Sequence, residues 1–230
     1  MLLGIHLINY IQCFTDKRRA QALILDDSLF KREFSKRTEL LARVFDHDNQ
    51  RYYNGFRTLT LGLSDGNTFL PLNFALMSSA KKANQLGPAK IFDGRTLAAK
   101  RRTQAHRKMS DVAVELVEEA LQAGSQAKFV LFDSWFTSPK MFAKLNALGV
   151  DGLGMLKRSV TISFRYRGRQ MTAQPPFERL RKSRHAQHDG YLYSPLVKLG
   201  VDGRITSVKL VFVTHRRDAS QSLVLGPTTS

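Results

Sequence analysis

Residues 110 to 158 carry the tightest constraint in the sequence, because two helix patterns and two strand patterns alternate there without interruption. In "SDVAVELVEEALQAG" (110–124), apolar residues recur at 112, 114, 116, 117 and 121, Ser110 stands where an N-cap belongs, and Gly124 stands where the helix should stop. "AKFVLFDSWF" (127–136) reads as a short buried strand. "SPKMFAKLNALG" (138–149) opens on a serine cap with proline at the first helical position and closes on Gly149. "VDGLGMLKR" (150–158) is a second strand. Strands joined through a helix of this length can pair in parallel, which a tight hairpin forbids. The expected class is α/β.

Upstream, the pattern changes to β. Residues 21–27, "QALILDD", hold four apolar residues with no Gly or Pro and end on two aspartates. Residues 28–50 are rich in charge, with a turn at 46–49. "RYYNGFRTLTLGLSDGNTFLPLNFALMSS" (51–79) carries two β-rich runs about Ser64-Asp65-Gly66-Asn67, which reads as a hairpin with Asp65 as its turn residue. Residues 80–109 are polar and basic, broken by Gly87-Pro88 and Gly94, and read as a connection with helix entry near Ser110. After residue 158, alternating runs around Arg-Gly-Arg and Val-Asp-Gly-Arg turns predict antiparallel strands without helices.

Composition limits the partners. The chain of 230 residues has 36 Lys+Arg against 19 Asp+Glu, a formal charge of +17 and a pI near 10.4. Such an excess attracts polyanions, nucleic acid first among them, and Lys100, Arg101 and Arg102 stack charge locally. The single cysteine, Cys13, rules out an internal disulfide and fits a reducing compartment. No run approaches the ~20 apolar residues of a membrane span, so no membrane partner is expected.

Two strands thus end on carboxylates: Asp26 or Asp27 in one, Asp133 in the other. A hairpin, a helix and a parallel strand in this order are compatible with a ribonuclease H-like sheet, where strand ends converge on one crevice. Carboxylates that meet there repel unless a cation lies between them, and Mg²⁺ or Mn²⁺ prefers such oxygen ligands. An aspartate after a strand also serves as a helix N-cap or a turn former. Ser138 already offers a cap for the following helix, which leaves Asp133 without the capping role.

The stretches "LILDDSLFKR", "ELLARVFDH", "GFRTLTLGLSDGNTFLPLNFALMSS" and "FVLFDSWFTSPKMF" resemble the DDE transposases of bacterial insertion sequences, in the group named after insertion sequence four. The likeness runs from about residue 20 to about 225. It implies a ribonuclease H-like mixed sheet with flanking helices and a β-rich insertion: residues 1–20 a remnant of an N-terminal helical region, 21–158 an incomplete catalytic core, 159–230 the insertion. It also implies Mg²⁺ or Mn²⁺ as cofactor, held by Asp133 and by Asp26 or Asp27. Asp26 is preferred because the family's acid directly follows the apolar run, and Asp27 would face the other way in a continuing strand.

The family's third acid is a glutamate in a Tyr-x-x-Arg-x-x-x-Glu-x-x-x-x-x-x-Lys signature, and that spacing does not occur in this chain. Tyr166 has Arg169 three residues on, but Ala173 stands where the glutamate belongs, and Glu178 sits in the expected insertion. The resemblance therefore implies a transposase truncated at both ends. Its expected partners are the inverted repeats of transposon ends and target DNA, with a homodimer in the synaptic complex, in the bacterial cytoplasm at the nucleoid. A DNA-binding remnant that inhibits the full-length protein, and a structure-specific nuclease, are the alternatives. Trp135 is a candidate for stacking on a flipped base, and Lys157 and Arg158 for phosphate contacts, beside Lys100, Arg101 and Arg102.

Overall fold

The structure is a computed structural model that describes residues 8, 10, 15–16, 18–156, 164–166, 169–171, 187–188, 191–201, 204–215 and 218–227. The backbone packs as two compact units, residues 1–126 and 127–230.

The first unit is built on a long antiparallel strand, β3 (Arg51–Ser64). Strand β1 (Ala22–Lys31) lines one edge of it, with Leu25 opposite Leu61 and Lys31 opposite Gly55. The other edge is shared by β2 (Ala42–Asp46) beside Arg51 to Gly55 and by β4 (Phe69–Met77) beside Arg57 to Ser64. The hairpin between β3 and β4 turns as expected. Asp65 accepts hydrogen bonds from the backbone N–H of Asn67 (3.0 Å) and Thr68 (2.7 Å), an Asx-turn that fixes its register.

Three expectations need correction. The first strand does not end at the aspartates but continues to Lys31, so Asp26 and Asp27 lie in its middle. The charged segment 28–50 contains β2. The basic stretch 80–109 is no plain connection, since it holds a 3₁₀ turn (Lys82–Asn84) and helix α1 (Leu97–Ala105), capped by Thr96, whose hydroxyl accepts from Ala99 N–H at 3.2 Å. Helix α2 (Met109–Gln122) begins just before Ser110. Its N-cap, Lys108, offers no side-chain cap, and Asp111 in the first turn supplies the negative charge that the helix dipole favours. Val112, Ala113, Leu116, Val117 and Ala120 bury one face of α2, which packs on β3 and β4.

The second unit opens with β5 (Phe129–Phe132), α3 (Pro139–Ala147) and β6 (Asp151–Leu156), and β5 pairs with β6 in parallel. Antiparallel pairing then runs from β6 through β12 (Asp218–Pro227) and β11 (Arg204–His215) to β10 (Tyr191–Val201). The short strands β7 (Phe164–Tyr166), β8 (Arg169–Met171) and β9 (Gln187–His188) complete it among the described residues. The expected β-rich character after residue 158 holds. Glu178 and Ala173 lie outside the described residues.

Antiparallel β1, β3 and β4, helix α2, then the parallel β5–α3–β6 unit follow one another in the order expected of a ribonuclease H-like chain. The result is a mixed α/β fold of parallel and antiparallel strands with few helices. Both α2 and α3 stop on glycines in the left-handed region, Gly124 (φ 97°) and Gly149 (φ 77°). The next N–H returns to the helix each time, Ser125 to the Ala120 carbonyl (3.1 Å) and Val150 to that of Leu145 (3.2 Å). These Schellman closures reverse the chain straight into β5 and β6. Among the described residues, no helix is long and apolar enough to cross a membrane.

Two measurements test this packing. A methyl group at Gly154 would run into the Phe132 ring and the Thr137 hydroxyl, which brace the turn after β5. Gly154→Ala should therefore cost about 1–3 kcal/mol in denaturant unfolding. At the end of β2, the Asn49 side-chain amide (2.8 Å), the Asn49 and Asp48 N–H groups and Lys31 (3.3 Å) hold the Asp46 carboxyl down to about 2. A depressed carboxylate stabilises the fold above its unfolded value, near 4, and that contribution disappears as pH falls through about 2. The Tm gap between wild type and Asp46→Asn should be constant above pH 5 and close on acidification.

Candidate active site

The β1 strand alternates, so its two aspartates face opposite ways. Leu23 and Leu25 point into the core, and Asp27 follows them on that face beside Leu59 of β3. Its side chain is only 4% exposed and would be costly to bury as a lone charge. Arg57 resolves this: its guanidinium forms an ion pair with the Asp27 carboxylate and donates a further bond to the Phe45 carbonyl of β2 at 3.2 Å. Asp27 is thereby held in an ion pair across the sheet.

Asp26 lies on the other face, in register with Thr60, and its side chain is exposed. The Thr60 hydroxyl donates to the Asp26 backbone carbonyl at 3.2 Å, which fixes the main chain. Among the described residues, nothing hydrogen-bonds or ion-pairs with the Asp26 carboxylate. The two neighbouring aspartates therefore differ in environment: Asp27 is ion-paired in the sheet and Asp26 is exposed.

Asp133 is the first residue after β5 and is exposed. One of its oxygens, Oδ1, accepts from the Trp135 backbone N–H at 2.9 Å, and its carbonyl accepts from the Thr137 hydroxyl at 3.0 Å. Ser138 then caps α3 by accepting from Met141 N–H at 3.2 Å. Ser138 thus takes the capping role, as expected, and Asp133 takes the turn-forming one. The turn uses one oxygen and leaves Oδ2 without a partner among the described residues. Phe136 and Thr137 are buried, while Trp135 stands 47% exposed beside the aspartate.

Asp26 belongs to the first unit and Asp133 to the second. Each presents exposed carboxylate oxygens from a fixed main chain, which is donor chemistry suited to a hard divalent cation. Among the described residues, no three His, Cys, Asp or Glu side chains cluster as a metal site.

The basic candidates separate on inspection. Arg102 is tied to Glu39 and lies over the Phe92 ring at 4.0 Å, and its hydrogen bonds hold the Glu39 carboxyl below the usual range. Arg101 donates to the Phe74 carbonyl (3.1 Å), Gln104 (2.9 Å) and Asn73 (3.2 Å). Both arginines fasten α1 to the unit, and of the trio Lys100 is the exposed one. Lys157 and Arg158 lie outside the described residues. The sequence reading missed Arg57. A charged residue on the inward face of "GFRTLTLGL" was the available signal, since such a residue demands a buried counter-charge.

Against known proteins, residues 3–199 match the family described as DDE superfamily endonuclease. Among solved structures, the piggyBac transposase synaptic complex with hairpin DNA aligns at 15% identity and a TM-score of 0.42, covering 90% of this chain and 32% of that one. Endonuclease V from Bacillus subtilis aligns at 10% identity and 0.35, covering 97% and 74%. The Drosophila P element transposase strand transfer complex aligns at 10% and 0.29, covering 79% and 39%. The chain spans about a third of the length of the piggyBac transposase it matches. A search of curated proteins finds no match. Most of the chain lies within the family match, and the chain belongs to the DDE superfamily endonuclease family.

Proposed function

We propose that this chain is the core of a transposase-type nuclease that cuts transposon-end DNA and joins it to a target, with Asp26 and Asp133 as its metal-holding carboxylates. The observation that carries the reading is the division of labour in β1. Asp27 is consumed by Arg57, whereas Asp26 and one oxygen of Asp133 remain open on exposed surfaces. Mg²⁺ or Mn²⁺, when bound, would supply activation of a water or a 3′-hydroxyl and stabilisation of the leaving oxygen. The chain's own residues supply position: Thr60 fixes the Asp26 main chain, while the Trp135 N–H and the Thr137 hydroxyl fix Asp133. The charge of +17 draws duplex DNA to the site, and Trp135 offers an exposed ring beside it for a base.

A second reading has its own observation. The Tyr-x-x-Arg-x-x-x-Glu spacing of the transposases it resembles does not occur among these 230 residues. On this reading the chain holds DNA ends without cutting them and competes with the complete enzyme.

Titration with Mn²⁺, followed by electron paramagnetic resonance, tests the carboxylate assignment. Asp26→Asn and Asp133→Asn should each weaken binding about tenfold or more with Tm unchanged. Asp27→Asn should keep the ion but lose about 3 kcal/mol of stability, because it removes the counter-charge of a half-buried guanidinium. The reverse pattern would transfer the ligand role to Asp27. Nicking of a supercoiled plasmid bearing inverted repeats then separates the two readings. Mn²⁺-dependent cuts at the repeats that vanish in Asp133→Ala support the nuclease, and specific binding without cuts supports the inhibitor.

A further inference from the structure

On the Asp26 face of the first unit lies a cleft of about 840 Å³, within the range of about 300–1,000 Å³ typical of ligand sites. Phe30 of β1, its cross-strand partner Phe56 of β3, and Leu76 of β4 line its base. Phe56 also belongs to a small core with Leu40, Leu41 and Ala105, against which Leu76 packs, so this part of the cleft is firm.

The segment 32–39 forms the wall, and it is braced along its length. Arg32 N–H donates to the Asn54 carbonyl at 2.7 Å and Ser35 N–H to the Arg32 carbonyl at 3.0 Å, while the Ser35 and Thr38 hydroxyls bond each other. The Thr38 carbonyl lies so close to Gly87 that a Cβ there would overlap it. Glu39 is anchored by Arg102 and by the Lys90 N–H at 2.8 Å. That pairing neutralises one of the acids in the lining, and Lys31 is engaged by Asp46, leaving Glu33 and Arg32 as its remaining charges.

Within this braced wall, Phe34 is 95% exposed. The Arg32 guanidinium sits 4.5 Å from the centroid of the Phe30 ring, which is itself 46% exposed. An open aromatic face beside a cation is the combination that holds unpaired bases, whose faces are free to stack, whereas a duplex presents chiefly its phosphates. We propose that this cleft binds an unpaired nucleotide of a DNA strand. The base stacks on Phe34, Glu33 and the Ser35 and Thr38 hydroxyls meet its edge, and Arg32, held over the Phe30 ring, takes the phosphate. Phe30 stands four residues along β1 from Asp26 on the same face, about 13 Å away, so one strand can reach both. The proposal rests on nucleic acid being the substrate and adds a single-strand subsite to it.

Fluorescence anisotropy with a short single-stranded oligonucleotide, and with a duplex of the same length, tests the cleft. Phe34→Ala should weaken single-strand binding about tenfold and leave duplex binding within about twofold. Arg32→Ala should weaken single-strand binding and reduce its salt slope by about one. Because Phe34 is exposed, its replacement should leave Tm unchanged, which a melting curve verifies. Equal losses on both substrates, or no loss on the single strand, overturn the assignment while leaving the duplex-binding function standing. If the wild type binds neither substrate, the nucleic-acid reading itself falls. If Phe34→Ala instead abolishes self-association with single-strand affinity intact, a second copy of the chain occupies the cleft and the proposal is wrong.

Discussion

The Arg57 guanidinium decides the geometry of the first unit. It reaches from β3 to Asp27 on one side and to the Phe45 carbonyl on the other, so a single side chain ties β1 and β2 to the strand between them. A charge pair this sheltered gains little over an apolar pair of the same volume, but it cannot be broken cheaply. Its effect is mainly one of register. With Asp27 fixed inward, the period of two sends Asp26 outward, and a slip of one residue would put the open carboxylate in the core and leave Arg57 unpaired.

The same logic explains which parts of the structure were legible in the sequence. Helices α2 and α3 announce themselves through apolar spacing and terminal glycines, and the β3–β4 hairpin through Asp65, because each signal acts over a few residues. The continuation of β1 past Asp26 and Asp27 was hidden. Two adjacent aspartates read as a strand terminator, and the residue that makes one of them tolerable lies thirty positions away in β3. Helix α1 was hidden for a different reason: its sequence, Leu-Ala-Ala-Lys-Arg-Arg-Thr-Gln-Ala, has little apolar face to recognise. It is held by Arg101 on β4 and by Arg102 on Glu39, contacts that periodicity does not see.

Of the site itself, the sequence disclosed the residue types but not their duties. Lys100, Arg101 and Arg102 form one basic cluster on paper. In the fold two of them fasten a helix and one faces outward. Asp133 carried two rival meanings, turn former and ligand; the structure shows the first, which engages one of its two oxygens. Trp135 links them, since its backbone N–H closes the turn while its ring stays exposed.

That turn has a consequence for selectivity among ions. With Oδ1 engaged by a backbone N–H, the ligand role proposed for Asp133 falls first to Oδ2. Large cations such as Ca²⁺ gain from carboxylates that close on them with both oxygens, whereas small octahedral ions are content with one. In the proposed site, a hydrogen bond that shapes the chain after β5 would thereby favour small cations over large ones.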